Sequence, residues 1–227
     1  MIVCHHPSDA LMLDYASGAL GEGWSLAVAT HLALCPQCRR SLARAEAMGG
    51  CLLEDLAPAD VDDRAFETLM ARVSAGNGAE VADPARTRRP EAAAAARQRK
   101  PLLPEPLRSY AGADADSLPW QRLGLGAYQI VLQTGTPGVT ARLLRIPAGR
   151  PVPEHSHKGL ELTLVLAGAF DDCTGHYGRG DFQEADDDLV HQPHAVAGED
   201  CICLAVTEAP LRFKGLAARL IQPLFNI

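Results

Sequence analysis

The sequence predicts a multidomain α + β chain: a small helical bundle followed by a β-barrel or β-sandwich. Three observations predict it. Up to about residue 75 the apolar residues recur at helical spacing. Residues 76–106 turn to Gly, Pro, Ala and Arg. Beyond about residue 107, short apolar runs alternate with Gly, Pro and Asp clusters, the pattern of all-β barrels and sandwiches. The divisions read from this are 1–78 for the bundle, 79–106 for a flexible, basic and Pro-rich linker, and 107–220 for the barrel.

In the bundle, Ser8 is a candidate N-cap for a helix through Leu11, Tyr15 and Ala19 that stops near Gly21. Ser25 can cap a second helix carrying Leu26, Val28, Ala29 and Leu32 on the way to His31 and Cys35. Pro36 cannot continue that helix but fits the first position of another. Cys35 then lies at the joint, where the positive end of the next helix favours a thiolate. The third helix is expected to stop at Gly49-Gly50. A fourth, amphipathic piece spans residues 59–73, with Ala65, Phe66, Leu69 and Val73 on one stripe.

The linker holds an Arg-rich run (Arg86 to Arg89), five consecutive alanines and Pro101, Pro104 and Pro106. It reads as a solvated tether. In the barrel, residues 127–133, 140–146, 161–166 and 201–206 read as strands.

Charge is uneven. Residues 1–75 carry 5 basic and 10 acidic groups, residues 86–100 carry 6 and 1, and residues 101–227 carry 10 and 15. Phosphate contacts dominate DNA affinity, so the acidic chain is not expected to bind nucleic acid directly. Its acidic N-terminal part suits a basic protein surface. Residues 1–20 lack a basic start followed by an apolar run, and the longest nearly apolar stretch, residues 162–170, is too short to cross a bilayer. The expectation is a cytoplasmic protein without membrane contact. Seven cysteines form no regular disulfide framework, which favours ligand or redox thiols.

His31-x₃-Cys35-x₂-Cys38 puts an imidazole and two thiols on one helical face, at spacings a Zn²⁺ ion collects. A tetrahedral ion needs a fourth ligand, and His6 upstream supplies it. From spacing alone His5 and Cys4 stay open as alternatives. So small a helical unit buries little apolar surface, so a metal would contribute much of its stability.

These residues resemble the zinc-binding anti-sigma domain that inhibits extracytoplasmic-function (ECF) sigma factors. The resemblance covers about the first 75 to 80 residues. It implies ligands at His6, His31, Cys35 and Cys38, and a helical bundle held between two sigma domains.

A second constellation is Gly149-x₅-His155-x-His157-x₃-Glu161-x₆-Gly168, with His191 later. His155 and His157 are i, i+2 on a strand and share a face. Glu161 returns after the Lys158-Gly159 bend, and His191 closes the set from another strand. Three imidazoles and a carboxylate suit Zn²⁺, Fe²⁺, Mn²⁺, Ni²⁺ or Cu²⁺. The string matches the first cupin motif. The second is weaker: Gly180-Asp181 and His191 fit, but Asp186 and Asp188 stand where proline and glycine are usual. His194 is a candidate pocket neighbour, and His176 is expected to face solvent.

Cys201-Ile202-Cys203 puts two thiols on one face of a strand. They read either as small apolar packing groups or as a redox or ligand pair near the metal. A zinc anti-sigma domain, a linker and a cupin with a Cys-x-Cys strand together resemble the ChrR-type anti-sigma factors over nearly the whole chain. That resemblance implies no catalytic residue and zinc at the N-terminal site. It implies zinc or another divalent transition metal in the barrel, an ECF sigma factor as partner, and release in response to singlet oxygen or organic hydroperoxides. The rival from another class is a cupin metalloenzyme, dioxygenase-like, with a helical accessory domain.

Overall fold

The computed structural model describes residues 2–76, 100–124, 126–208 and 212–213. The Arg-rich run and the alanines of the expected linker lie outside the described residues, as does most of the chain after Glu208. The chain divides into two compact units: Met1–Gly50 with Pro101–Ile227, and Cys51–Lys100.

The first unit begins with α1 (Asp9–Ala16). As predicted, Ser8 caps it, its hydroxyl accepting from Leu11 N at 3.2 Å. The helix ends a turn earlier than expected. Gly18 takes left-handed backbone (φ 73°), which lets Ala19 N–H reach Asp14 O at 2.9 Å and close the terminus. In α2 (Glu22–Leu34), Ser25 is not the cap but lies inside the first turn, its hydroxyl donating to Leu20 O. A free first-turn amide, Gly23 N–H, instead donates to Thr136 Oγ1, a group from the β-rich half of the chain, at 3.2 Å. The cap residue is Gly21, which offers no side chain, so the group that satisfies this amide is not legible nearby in sequence.

Pro36 does open α3 (Pro36–Glu54), but the helix runs on through Gly49 and Gly50. Both are exposed, and each costs a helix about 0.5–1 kcal/mol relative to alanine, too little to end one flanked by good helix formers.

The second unit contains the end of α3, a turn and α4 (Ala65–Gly76). Residues 59–64 are not helical as expected. Asp62 accepts from Arg64 N at 2.8 Å in a local turn, and the helix starts behind it. On α4, Phe66, Leu69, Met70 and Val73 are all exposed, from 46% to 71%.

Back in the first unit, the order expected from residue 107 onward begins with helix. α5 (Glu105–Ala111) and a 3₁₀ turn (Ala115–Ser117) precede the strands. Leu103 and Leu107 are fully buried, so residues 101–106, read as the end of the linker, belong to the packed chain. The strands are β1 (Gln121–Gly124), β2 (Ala127–Leu132), β3 (Thr140–Ile146), β4 (His155–Ser156), β5 (Glu161–Ala167), β6 (Ala169–Asp172), β7 (Gly175–Gly178), β8 (Phe182–Ala185), β9 (Val190–His191), β10 (His194–Ala195), β11 (Cys201–Thr207) and β12 (Arg212–Phe213). All the pairings are antiparallel. They form a six-stranded sheet in the order β1-β2-β3-β11-β5-β8 and two three-stranded sheets, β10-β6-β7 and β12-β4-β9.

The six-stranded sheet is covered on both faces. Along β5, Leu162, Leu164 and Leu166 join Trp24, Ala27, Val28 and Leu107 in one core, and Leu204 and Val206 of β11 join them. The alternate residues Val165 and Cys201 face a second core with Ile146, Phe170 and Tyr177 inside the barrel. Period-two alternation thus serves two apolar surroundings, which is why β5 reads as a nearly unbroken apolar run. Full burial of each such leucine contributes about 1.5–3 kcal/mol.

Candidate metal centres

The helical cluster is assembled at the joint between α2 and α3. Cys35 ends α2 with extended backbone (φ −110°, ψ 104°), and Cys38 N–H points at Cys35 Sγ from 3.4 Å, so the start of α3 does face that sulfur. His6 Nδ1 lies 3.5 Å from Cys35 Sγ and 3.4 Å from Cys38 Sγ, and His31 Nε2 lies 3.3 Å from Cys38 Sγ. The four residues offer ligand atoms within 4.8 Å of one another. The neighbours left open by spacing fall elsewhere. His5 stacks on Tyr177 with ring centroids 4.3 Å apart, and Cys4 is exposed.

The barrel cluster takes His155 from β4, His157 just after it, Glu161 from the start of β5 and His191 from β9. Gly159, with φ 90°, makes the bend between His157 and Glu161. Asp187 accepts from Gly159 N and ties that bend to the loop before His191. The irregular second motif keeps its turn in another way: Asp186 accepts from Asp188 N at 3.1 Å and from Leu189 N at 3.3 Å. His157 Nε2 lies 3.0 Å from His191 Nε2, which lies 3.1 Å from His155 Nε2.

The donor chemistry fits a cation at both places. In the barrel, His155 Nδ1 is 2.8 Å from Pro153 O, and His191 Nδ1 is 2.8 Å from the buried carboxylate of Asp172. Those acceptors assign the ring protons to Nδ1, so two Nε2 lone pairs face each other at 3.1 Å. A bound cation relieves that repulsion, and a carboxylate–histidine pair is a usual support of a metal ligand. In the helical cluster, His31 Nδ1 bonds Gly180 O at 2.9 Å, which leaves its Nε2 lone pair aimed at the sulfur.

Burial holds His31 and His155 down at about 4, so both rings are neutral, the ligand form, at pH 7. For Glu161, burial alone would raise the carboxyl; His157, His155 and His191 outweigh it and hold the group below the usual range. Burial, with Cys35 beside it, pushes the Cys38 thiol up to about 12, so a metal binding there displaces a proton.

Beside the barrel cluster is a cavity of about 70 Å³. Ile146, Val152, Phe170 and Ala195 line it together with His155, Glu161 and His191. Cys201 and Cys203 also line it and are buried, and neither is among the grouped ligand atoms. The Cys201 hydrogen bond, followed by burial, raises the Cys203 thiol well above its ordinary value, which makes it a slow nucleophile. His194 is exposed and lines an outer groove with Glu154, Asp171 and Cys173 instead of this cavity, and His176 faces solvent as expected, paired with Asp171 at 2.6 Å. Asp172 and Gln183 escaped the sequence reading, and Gly180 and Asp181 entered it only as part of the second cupin motif, not for these contacts. Each acts through a partner distant in sequence, and apart from the cupin-like Gly180-Asp181 no local pattern marks them.

An antiparallel barrel of this kind, with three imidazoles and a carboxylate gathered at strand ends, is the arrangement of a cupin. The profile of the ChrR cupin-like domain matches residues 109–210. Over 227 residues, all of both chains, the sequence is 44% identical to the anti-sigma-E factor ChrR of Cereibacter sphaeroides. A solved chain from the complex of Rhodobacter sphaeroides SigE with the anti-sigma ChrR is 42% identical. It matches with a TM-score of 0.76 over 91% of this chain and 99% of that one. The chain belongs to the ChrR family of anti-sigma factors, a family of regulators, and the cupin-enzyme alternative falls away.

Proposed function

We propose that this chain binds and inhibits an ECF sigma factor through its N-terminal helices and releases it when the barrel senses oxidative stress. The observation that carries the binding half is the apolar face of α4. Phe66, Leu69, Met70 and Val73 are exposed together on a twelve-residue helix, and Leu52, Leu53 and Leu56 near the end of α3 are 66–70% exposed. Contiguous apolar surface of this kind marks a protein-binding site. The relatives' names, an anti-sigma factor and a complex with SigE, supply the kind of partner.

In this reading His6, His31, Cys35 and Cys38 hold Zn²⁺, which clamps the α2–α3 joint. His155, His157, Glu161 and His191 hold Zn²⁺ or another divalent transition metal. Singlet oxygen, or an organic hydroperoxide small enough for the cavity, reaches that second cluster, where Cys201 and Cys203 line the same space. Binding of sigma must then differ between the two states of the chain, and a tenfold release requires only about 1.4 kcal/mol of difference. The protein works in the cytoplasm, where RNA polymerase is. Among the described residues no helix is long and apolar enough to cross a membrane.

The test is co-purification of the full chain with the ECF sigma factor of its own organism. A stable complex that dissociates after singlet-oxygen or hydroperoxide treatment is expected. Metal-loaded chain that forms no complex would remove the inhibition model, and a complex indifferent to both oxidants would remove the sensing half.

A further inference from the structure

We propose that Asp181, a residue of the barrel, is a positioning residue for the helical metal cluster. The inference rests on reading that cluster as a metal site.

Strand β8 is an edge of the six-stranded sheet. An open edge presents unpaired backbone groups, and here the chain's own N-terminal arm covers it. Phe182 N–H donates to His5 O at 3.2 Å, and Ser8 donates to Glu184 through its backbone N at 2.6 Å and its hydroxyl at 3.1 Å. The centre of the attachment is Asp181, only 5% exposed. Its Oδ1 accepts from Cys4 N at 2.6 Å and His5 N at 2.9 Å, and its Oδ2 accepts from Gly178 N at 2.9 Å. His6 is the next residue along that arm.

The other imidazole depends on the same turn. Gly180 has φ 91°, which aims its carbonyl at His31 Nδ1, and the Phe182 ring meets the His31 ring edge-on at 5.5 Å. The turn is pinned from behind, with Gly180 N–H donating to Val165 O at 2.8 Å and Val165 N–H to Asp181 O at 3.1 Å. Both sulfurs therefore come from the helix joint, while both nitrogens are placed by three consecutive barrel residues. The carboxylate joins the two placements: one oxygen holds the arm of His6, and the other braces the turn that carries Gly180.

The experiment uses the full chain loaded with Co²⁺. Only a cobalt ion bound by sulfur gives thiolate-to-metal charge-transfer absorption, so the band reports the helical cluster and not the all-nitrogen-and-oxygen cluster of the barrel. Asp181→Asn keeps the size but turns one acceptor oxygen into a donor. In competition with a chelator it is expected to weaken the thiolate-bound cobalt by about tenfold to a hundredfold, the usual effect of removing a group that orients a metal ligand. Cobalt in the barrel should be unaffected. Glu184→Gln, which loosens the arm beyond His6, should leave the band's affinity unchanged.

An unchanged affinity in Asp181→Asn overturns the proposal. So does equal weakening of both sites, which would make Asp181 a residue of the fold alone, and so does an equal loss in Glu184→Gln. Should Asp181→Asn fail to fold, Asp181→Ser, with a short acceptor in the same turn, serves the same comparison. A band missing from the unaltered chain, or one that survives Cys35→Ser, sinks the reading of the cluster itself, a result distinct from the failure of Asp181.

Discussion

The two ligand clusters of this chain differ in how their parts are gathered. The helical one combines soft sulfur with nitrogen. Its sulfurs are three residues apart at one joint, and its nitrogens are fixed by the barrel. The barrel one is all nitrogen and oxygen, is buried at every ligand, and adjoins a cavity. A small molecule therefore has a chamber beside the second cluster, whereas an ion in the first ties together α2, α3 and the arm. The proposed function divides the labour along this difference: the chemical event would be received where there is space beside the second cluster, and its mechanical result would appear where the first cluster joins helices. The two lie on opposite faces of one wall. On β8, Phe182 packs toward His31, while Gln183 bonds Asp172 at 2.8 Å, and Asp172 bonds His191.

The sharpest way to break this comparison is to remove the sulfurs. Cys35→Ser with Cys38→Ser should lower the metal content from two ions per chain to one and unfold the α2–α3 joint. Structural zinc in small peptides supplies about 10–16 kcal/mol of folding free energy, so the loss of thermal stability should be the largest of this set. Elemental analysis and thermal unfolding measure it. Loss of both ions would show that the clusters are not separable. A second substitution, Phe66→Asp, tests the output: sigma affinity should fall by about 2 kcal/mol or more, as for an anchor residue, with metal content unchanged. Calorimetric titration against the sigma factor reads it, and an unchanged affinity would place the interface elsewhere.

Glu161→Gln tests the input. Barrel metal affinity should fall at least about tenfold. The complex with sigma should still form, but oxidant should no longer dissolve it, as followed by gel filtration before and after peroxide. If the variant cannot bind sigma at all, the barrel does more than sense.

The smallest effect is expected where neither cluster is involved. At Asp114, burial would raise the carboxyl, but the N–H groups of Leu103 and Leu102 outweigh it and hold it below 3.8. A depressed folded value stabilises the protein above the unfolded value and loses that contribution as pH falls through the folded one. Thermal midpoints measured downward from pH 5 should therefore drop more steeply below 3.8 in the native chain than in Asp114→Asn.

Each cluster was legible in its local part, while spacing alone left the choice of His6 over His5 and Cys4 open. His31, Cys35 and Cys38 follow helical spacing, and His155, His157 and Glu161 follow a strand and a bend. Strands β2, β3, β5 and β11 were legible for the same reason. Other features were misread where the deciding partner is distant. Ser25 reads as a cap until Thr136 is seen to hold Gly23, and residues 101–106 read as linker until Leu103 is seen in the core.

What the amino-acid order determined alone is the local chemistry: His31, Cys35 and Cys38 as one group and His155, His157 and Glu161 as another, since donor type and short-range period suffice to group those. What only the tertiary structure decided is that residues 1–50 and the barrel share one core, and that Gly180 meets His31, Asp181 the arm before His6, and Asp172 His191. Those contacts join residues as much as 177 positions apart in sequence, and no period or spacing along a chain encodes a meeting made by folding.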